Sequence, residues 1–219
     1  MTGLAFTGGA AEETMRSIAD QFHEIYYDSW VWRHTYWMGV QTLKCPLDLW
    51  IYQEILFELR PRFIIECGTA AGGSALFLAS MCDLLGEGQI VTVDIQADPH
   101  RPQHSRITYL QGSSTEDSIV GKIREIVKDS SPVMVILDSD HSREQVLQEL
   151  RLYGPIVTKG SYLIVEDTNI NGHPVLELHG AGPMEAVETF LSETDEFTFD
   201  REREKFFLTF NPKGYLKKL

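Results

Sequence analysis

The sequence predicts a doubly wound α/β domain, and three observations carry that prediction. Beyond Arg60-Pro61, strand-like and helix-like segments alternate with some regularity. Several strand cores, such as VMVIL at 133–137 and YLIV at 162–165, are continuous apolar runs, the pattern of strands buried on both faces of a parallel sheet. Several of the strand-like segments end in acids or in a glycine loop, which places polar chemistry along one rim. Strand–helix–strand repetition then implies right-handed crossovers.

In chain order, the expected strands are 63–67, 90–95, 107–111, 133–137, 162–166 and, near the end, 205–210. Helical patterns fall between them at 74–85, 116–128, 142–156 and 183–193. The first 60 residues differ, because all the tryptophans and several tyrosines crowd into them. Within that stretch, 47–59 has helical periodicity, with Pro46 near its start and Asp48 in its first turn. We read 1–60 as a helical, aromatic-rich cap over one end of the sheet and part of the same domain as 61–219. No linker or repeat divides the chain.

Composition narrows the function. The chain has 219 residues, with 32 Asp plus Glu against 19 Lys plus Arg, a formal charge of −13. Such an acidic chain is a poor fit to nucleic acid or to an anionic membrane, which are held by basic excess. Hydrophobic residues at 43% and aromatics at 11% are those of a folded globular protein. The three cysteines, Cys45, Cys67 and Cys82, lack metal-type spacing and read as reduced thiols. The opening MTGLAFTGGAAEETM has neither the basic nor the apolar region of a leader. The apolar stretch 63–85 is broken by Glu66, a glycine cluster and Asp83, so it reads as strand, loop and helix rather than a membrane span. A cytoplasmic protein is expected.

The first candidate site is Phe63-Ile-Ile-Glu-Cys-Gly-Thr-Ala-Ala-Gly-Gly-Ser74, a strand ending in an acid, then a glycine loop, then a helix start. Gly68, Gly72 and Gly73 permit tight turning and close approach, and the helix start offers free N–H groups. The spacing is neither the dinucleotide fingerprint nor a P-loop, which disfavours a nicotinamide-dependent dehydrogenase. Asp94 closes the next strand, placed to accept hydrogen bonds from ribose hydroxyls. These features resemble the S-adenosylmethionine site of class I methyltransferases and imply a Rossmann-like sheet of that class. The resemblance assigns cofactor binding to Glu66, Gly68, Thr69, Gly72, Gly73, Ser74 and Asp94, to Ser113 within Gln111-Gly-Ser-Ser114, and to Asp138.

The second candidate site lies where 133–137 runs into Asp138-Ser-Asp140-His141 and 162–165 runs into Glu166-Asp167. Neighbouring parallel strands bring these acids to one patch, and clustered carboxylates call for a cation. Oxygen ligands of this kind suit Mg²⁺, with Mn²⁺ or Ca²⁺ as alternatives. The set Asp138, Glu166 and Asp167 resembles the metal site of catechol-type O-methyltransferases, with Asp140 an alternative to Asp138. More closely, the segments KCPLDLWIYQE, ECGTAAGGSALF, LDSDHS, GSYLIVEDTNINGHP and EKFFLTFNPKGYLKK resemble the cephalosporin hydroxylase/rhamnosyl O-methyltransferase family over about 25–219. That resemblance implies methyl transfer to a hydroxyl of a small molecule, a sugar or a natural-product scaffold, with His141 as general base. Two readings stand beside it. One is a non-catalytic S-adenosylmethionine-binding protein. The other is an iron hydroxylase, which would need a second histidine such as His173. The aromatics Trp30, Trp32, Trp37 and Trp50 could stack on an acceptor, pack the fold or form a homo-oligomer interface, and Arg33 and Lys44 are weaker acceptor candidates.

Overall fold

The computed structural model describes the backbone from residue 9 and the side chains from residue 13 to the end. Part of the opening segment MTGLAFTGGAAEETM therefore lies outside the described residues. Helix α1 (Gly9–Asp28) is followed by a 3₁₀ turn (Val31–His34) and a short hairpin, β1 (Tyr36–Trp37) and β2 (Val40–Gln41). Then come α2 (Pro46–Leu59), β3 (Phe63–Cys67), α3 (Gly73–Leu85), β4 (Gln89–Asp94) and β5 (Ile107–Gln111). The second half runs α4 (Asp117–Val127), β6 (Val133–Leu137), α5 (Arg143–Tyr153), β7 (Tyr162–Val165), α6 (Pro183–Glu193), β8 (Phe197–Phe199) and β9 (Tyr215–Lys218).

The main sheet has seven strands in the order β5-β4-β3-β6-β7-β9-β8. The strands β5 to β7 pair in parallel, while β9 pairs antiparallel with both β7 and β8. Strand order reverses between β3, which pairs β4, and β6, so the rim beyond these strands is the switch point where such sheets bind ligands. Period-two alternation divides the core. Ile65, Val135, Leu137, Leu163 and Val165 pack with Ile123, Leu150 and Val187 of α4, α5 and α6. Ile64, Met134, Ile136 and Ile164 face the other way, onto Ile51, Ile55, Leu78 and Cys82 of α2 and α3. Every residue of β6 is buried, the reason its sequence is an unbroken apolar run. The three cysteines are free and buried. Among the described residues, no helix is long and apolar enough to cross a membrane.

One expected strand is corrected. Residues 205–210 form no strand, and the antiparallel edge is built from β8 and β9 instead. The local cause is Asp48 on α2, a buried carboxylate that accepts from Thr209 Oγ1 at 2.5 Å and from Phe210 N at 2.8 Å. A backbone N–H tied to a side chain is lost to a β ladder, and Phe207 adopts a left-handed φ of 63°. Phe210 then packs among His23, Tyr26, Tyr27 and Trp32, which fastens this loop to the N-terminal region.

Candidate active site

The glycine loop is shaped by backbone packing as much as by ligand access. A Cβ on Gly68, whose φ is +96°, would stand 1.8 Å from the carbonyl oxygen of Asp138. The ends of β3 and β6 touch there, and only glycine fits. A Cβ on Gly73 would meet the Gln41 carbonyl oxygen at 2.2 Å, so the hairpin strand β2 lies directly against the start of α3. Glu66 points inward and is fully buried, accepting from Thr92 Oγ1 at 2.6 Å. Since Thr92 donates to Glu66, the 2.7 Å contact between the Thr69 and Thr92 hydroxyls runs with Thr69 as donor. Burial raises the Glu66 pKa, with Lys44, Ser74 and Thr92 opposing.

Above this loop is a cavity of about 550 Å³, lined among others by Gly68, Thr69, Ser74, Asp94, Ser113 and Asp138. Glu66, Gly72 and Gly73, also expected at the cofactor, do not border it. Gln41, Thr42, Leu43, Ser114, Ser139 and Gln145 do, and the first three bring the N-terminal region to the cavity wall. The Asp94 carboxylate accepts from the backbone of Thr69 (3.1 Å) and Ala70 (2.9 Å) through Oδ2, and from Gln96 N (2.8 Å) through Oδ1. Arg101 Nη2 lies 3.2 Å from the same Oδ2. Asp94 thus clamps the glycine loop while remaining at the cavity edge.

Asp138 joins the cavity to the acidic patch. Its Oδ2 pairs with the Lys44 ammonium, and its Oδ1 lies 3.5 Å from His141 Nε2. The same His141 nitrogen is 3.2 Å from Asp167 Oδ2, yet it is buried and makes no hydrogen bond. Lys44, only 3% exposed, also pairs with Glu166 Oε1 at 2.7 Å, and Tyr52 OH donates to that oxygen. Asn211 Oδ1 accepts from Asp167 N at 3.2 Å, holding the φ +55° turn that aims Asp167 outward while Glu166 faces in.

Ligand atoms of Asp138, His141 and Asp167 all lie within 4.8 Å of one another, a spacing that can hold a metal ion. Glu166, expected in this set, is instead placed one step away against Lys44 and Tyr52. Burial pushes the Glu166 carboxyl up to about 8, with Asp138 and Asp167 adding to the rise and Lys44 opposing it. Burial would raise Asp138 too, but Lys44 and His141 hold it below the usual carboxylate range. Burial pulls His141 down, and Asp167 and Asp138 override it, raising the ring to about 9. Asp140 is exposed, its Oδ1 accepting from Ser142 N at 2.8 Å where α5 begins. His173 is turned to Glu185, 2.9 Å away, and does not join the cluster. Lys44 reads as minor from the sequence because its partners stand 94 and 122 positions along the chain, and nothing local in KCPLD announces a buried ion pair.

Comparison with known proteins follows the same outline. The model of the Rhamnosyl O-methyltransferase/CmcI family matches residues 29–219. A rhamnosyl O-methyltransferase of Mycobacterium leprae is 45% identical over 208 residues, covering 91% of this chain and 90% of the relative. Among solved structures, CmcI-N160 without ligand superposes with a TM-score of 0.65 at 22% identity, covering 84% of this chain and 76% of that one. CmcI-D160 with Mg and SAM gives a TM-score of 0.65 at 21% identity, over 85% and 77% of the two chains. These structures share the fold, and the sequence match extends over nearly all of it. The chain belongs to the Rhamnosyl O-methyltransferase/CmcI family.

Proposed function

We propose that this chain is an S-adenosylmethionine-dependent, Mg²⁺-dependent O-methyltransferase that acts on a hydroxyl of a sugar or natural-product scaffold. The observation that carries the reading is the convergence of Asp138, His141 and Asp167 at the edge of a cavity that Asp94 and Ser113 line. The name of the 45% identical relative supports the reaction and the acceptor class. The Mg and SAM of the CmcI-D160 structure support the two cofactors. The cavity volume falls in the range of small-molecule sites, roughly 300–1,000 Å³.

The residues present fit both groups. Asp138 and Asp167, with Glu166 behind them, would hold the ion, since converging carboxylate oxygens are the hard donors a divalent cation takes. Gly68, Thr69, Ser74, Asp94 and Ser113 border the space for the methyl donor. When bound, S-adenosylmethionine supplies an electrophilic methyl group and Mg²⁺ supplies charge that lowers the pKa of an acceptor hydroxyl. His141 takes the acceptor proton at Nε2 as the new oxygen–carbon bond forms and the donor's sulfur–methyl bond breaks, its electron pair going to sulfur and leaving S-adenosylhomocysteine. In the bare site Asp167 and Asp138 raise that ring to about 9 against the effect of burial, and a divalent charge held by them would oppose the rise.

The test is methyl transfer from labelled S-adenosylmethionine to a panel of rhamnosides and hydroxylated scaffolds. Transfer is expected to stop on exhaustive chelation and to return with added Mg²⁺. Full activity in the chelated protein would remove the ion from the reading, and cofactor binding with no transfer to any hydroxyl would remove the reaction.

A further inference from the structure

Beneath the cavity is a buried carboxylate that the reaction above does not use. Glu149 on α5 has no exposed surface, and its Oε1 accepts two serine hydroxyls, Ser114 Oγ and, at 2.6 Å, Ser139 Oγ. Its other oxygen, Oε2, is buried without a partner. Both serines line the cavity, one at the end of β5 and the other at the end of β6. Gln145, also at the wall, donates its Nε2 to Ser114 Oγ at 3.2 Å.

A serine hydroxyl carries one hydrogen and two lone pairs. Once that hydrogen is committed to Glu149, the oxygen can only accept. Ser114 and Ser139 therefore offer lone pairs and no proton to whatever occupies the cavity. Burial raises the Glu149 pKa, with Ser114, Ser139 and Gln145 opposing. A proton taken up there belongs on the unpartnered Oε2, which leaves Oε1 the acceptor of both serines in either charge state.

We propose that Glu149 is a positioning residue for cofactor selection: it fixes Ser114 and Ser139 as hydrogen-bond acceptors, so that the site takes a nucleobase with an exocyclic amino donor and rejects one with a carbonyl there. This rests on the assignment of the cavity to S-adenosylmethionine. Adenine presents an N6 amino group, whereas hypoxanthine presents O6, which would face serine oxygens that have no proton to give. Such an acceptor–acceptor mismatch costs roughly 10–100-fold in affinity.

The experiment compares S-adenosylhomocysteine with S-inosylhomocysteine by titration calorimetry, on the wild-type chain and two variants. Wild type is expected to prefer the adenosyl ligand by at least about 10-fold. Glu149→Leu frees both hydroxyls to rotate and donate, and the preference should fall to within about threefold. The Ser114→Ala/Ser139→Ala double variant keeps Glu149, should bind the adenosyl ligand less tightly, and should lose the preference as well. Its result stands if Glu149→Leu fails to fold. Equal wild-type affinities, a folded Glu149→Leu that keeps the wild-type ratio, or a double variant that keeps it, would overturn the selection role. If wild type binds neither ligand, the cofactor assignment falls and the selection role with it, an outcome distinct from equal binding.

Discussion

The Lys44 ammonium lies 2.7 Å from Glu166 Oε1, in a position only 3% exposed. Its second partner is Asp138, so one cation from the N-terminal region spans acids at the ends of β6 and β7. His141 spans Asp138 and Asp167 in the same manner. Three carboxylates are thus tied together by two side-chain cations, with Asp138 common to both links. This arrangement makes the N-terminal region part of the acidic patch.

Removing that ammonium has a predicted cost. Lys44→Met removes the cation that opposes the rise of Glu166, so Glu166 stays protonated and Asp138 loses its partner, which is expected to destabilise the metal-free protein by about 1–3 kcal/mol. Thermal melts in chelator should show the loss, and added Mg²⁺ should recover part of it by restoring charge. A variant that melts like wild type in chelator would show that the pair carries no such weight.

Asp138 and Asp140 are separated by one residue yet have different surroundings. Asp138 faces His141 and Lys44, while Asp140 is exposed and caps the backbone at Ser142. Asp138→Asn is expected to weaken Mg²⁺ binding by at least about tenfold, the least that disturbing a metal site typically costs. Asp140→Asn should change it less than about twofold and act instead on the start of α5. Calorimetric Mg²⁺ titration decides, and the reverse order would move the ligand to position 140.

His141 is expected to matter for turnover more than for binding. His141→Ala should reduce kcat by about 10²–10⁴-fold, the contribution of a positioned general base. Mg²⁺ and S-adenosylhomocysteine affinities should stay within a few-fold of wild type. Loss of Mg²⁺ binding in this variant would make His141 a ligand, which its place within 4.8 Å of the carboxylates also allows.

The parts of the site written as runs were legible in the sequence. VMVIL ending in Asp138 and YLIV ending in Glu166-Asp167 give both a buried strand and the acid at its tip, because burial on two faces leaves a continuous apolar signature. The glycine loop was equally visible, although a Cβ at Gly68 or Gly73 would also collide with protein backbone, which the loop's own sequence does not reveal. What the sequence hid were pairings made across long separations. Tyr52 and Glu166 are 114 residues apart, and Ser114 and Glu149 are 35 apart on different elements. The edge strands were missed because β8 has three residues and β9 ends in lysines, while the more apolar 205–210 is held by Asp48. Strand propensity lost there to a buried carboxylate.

His23 on α1 gives a pH dependence of known sign. Its ring is 5% exposed, stacks on Phe210 at 5.6 Å, and has Asn169 Nδ2 2.9 Å from Nε2. The amide donates, so Nε2 is the acceptor and the ring is neutral. Burial lowers its pKa from 6.5 to about 4. Well above pH 6.5 neither folded nor unfolded chain protonates this group, and it has no effect on stability. As pH falls through 6.5 the unfolded chain binds a proton that the folded chain refuses, so stability declines. The decline ends near pH 4, where the folded ring is also protonated, after a loss of about 3 kcal/mol at most. Carboxylates titrate across the same window, so the informative quantity is a difference between proteins. Denaturant unfolding of wild type and His23→Gln at steps from pH 7 to pH 4 should show a shallower slope in the variant. Parallel slopes would mean that His23 is protonated in the folded chain and that its link to Asn169 is made in another way.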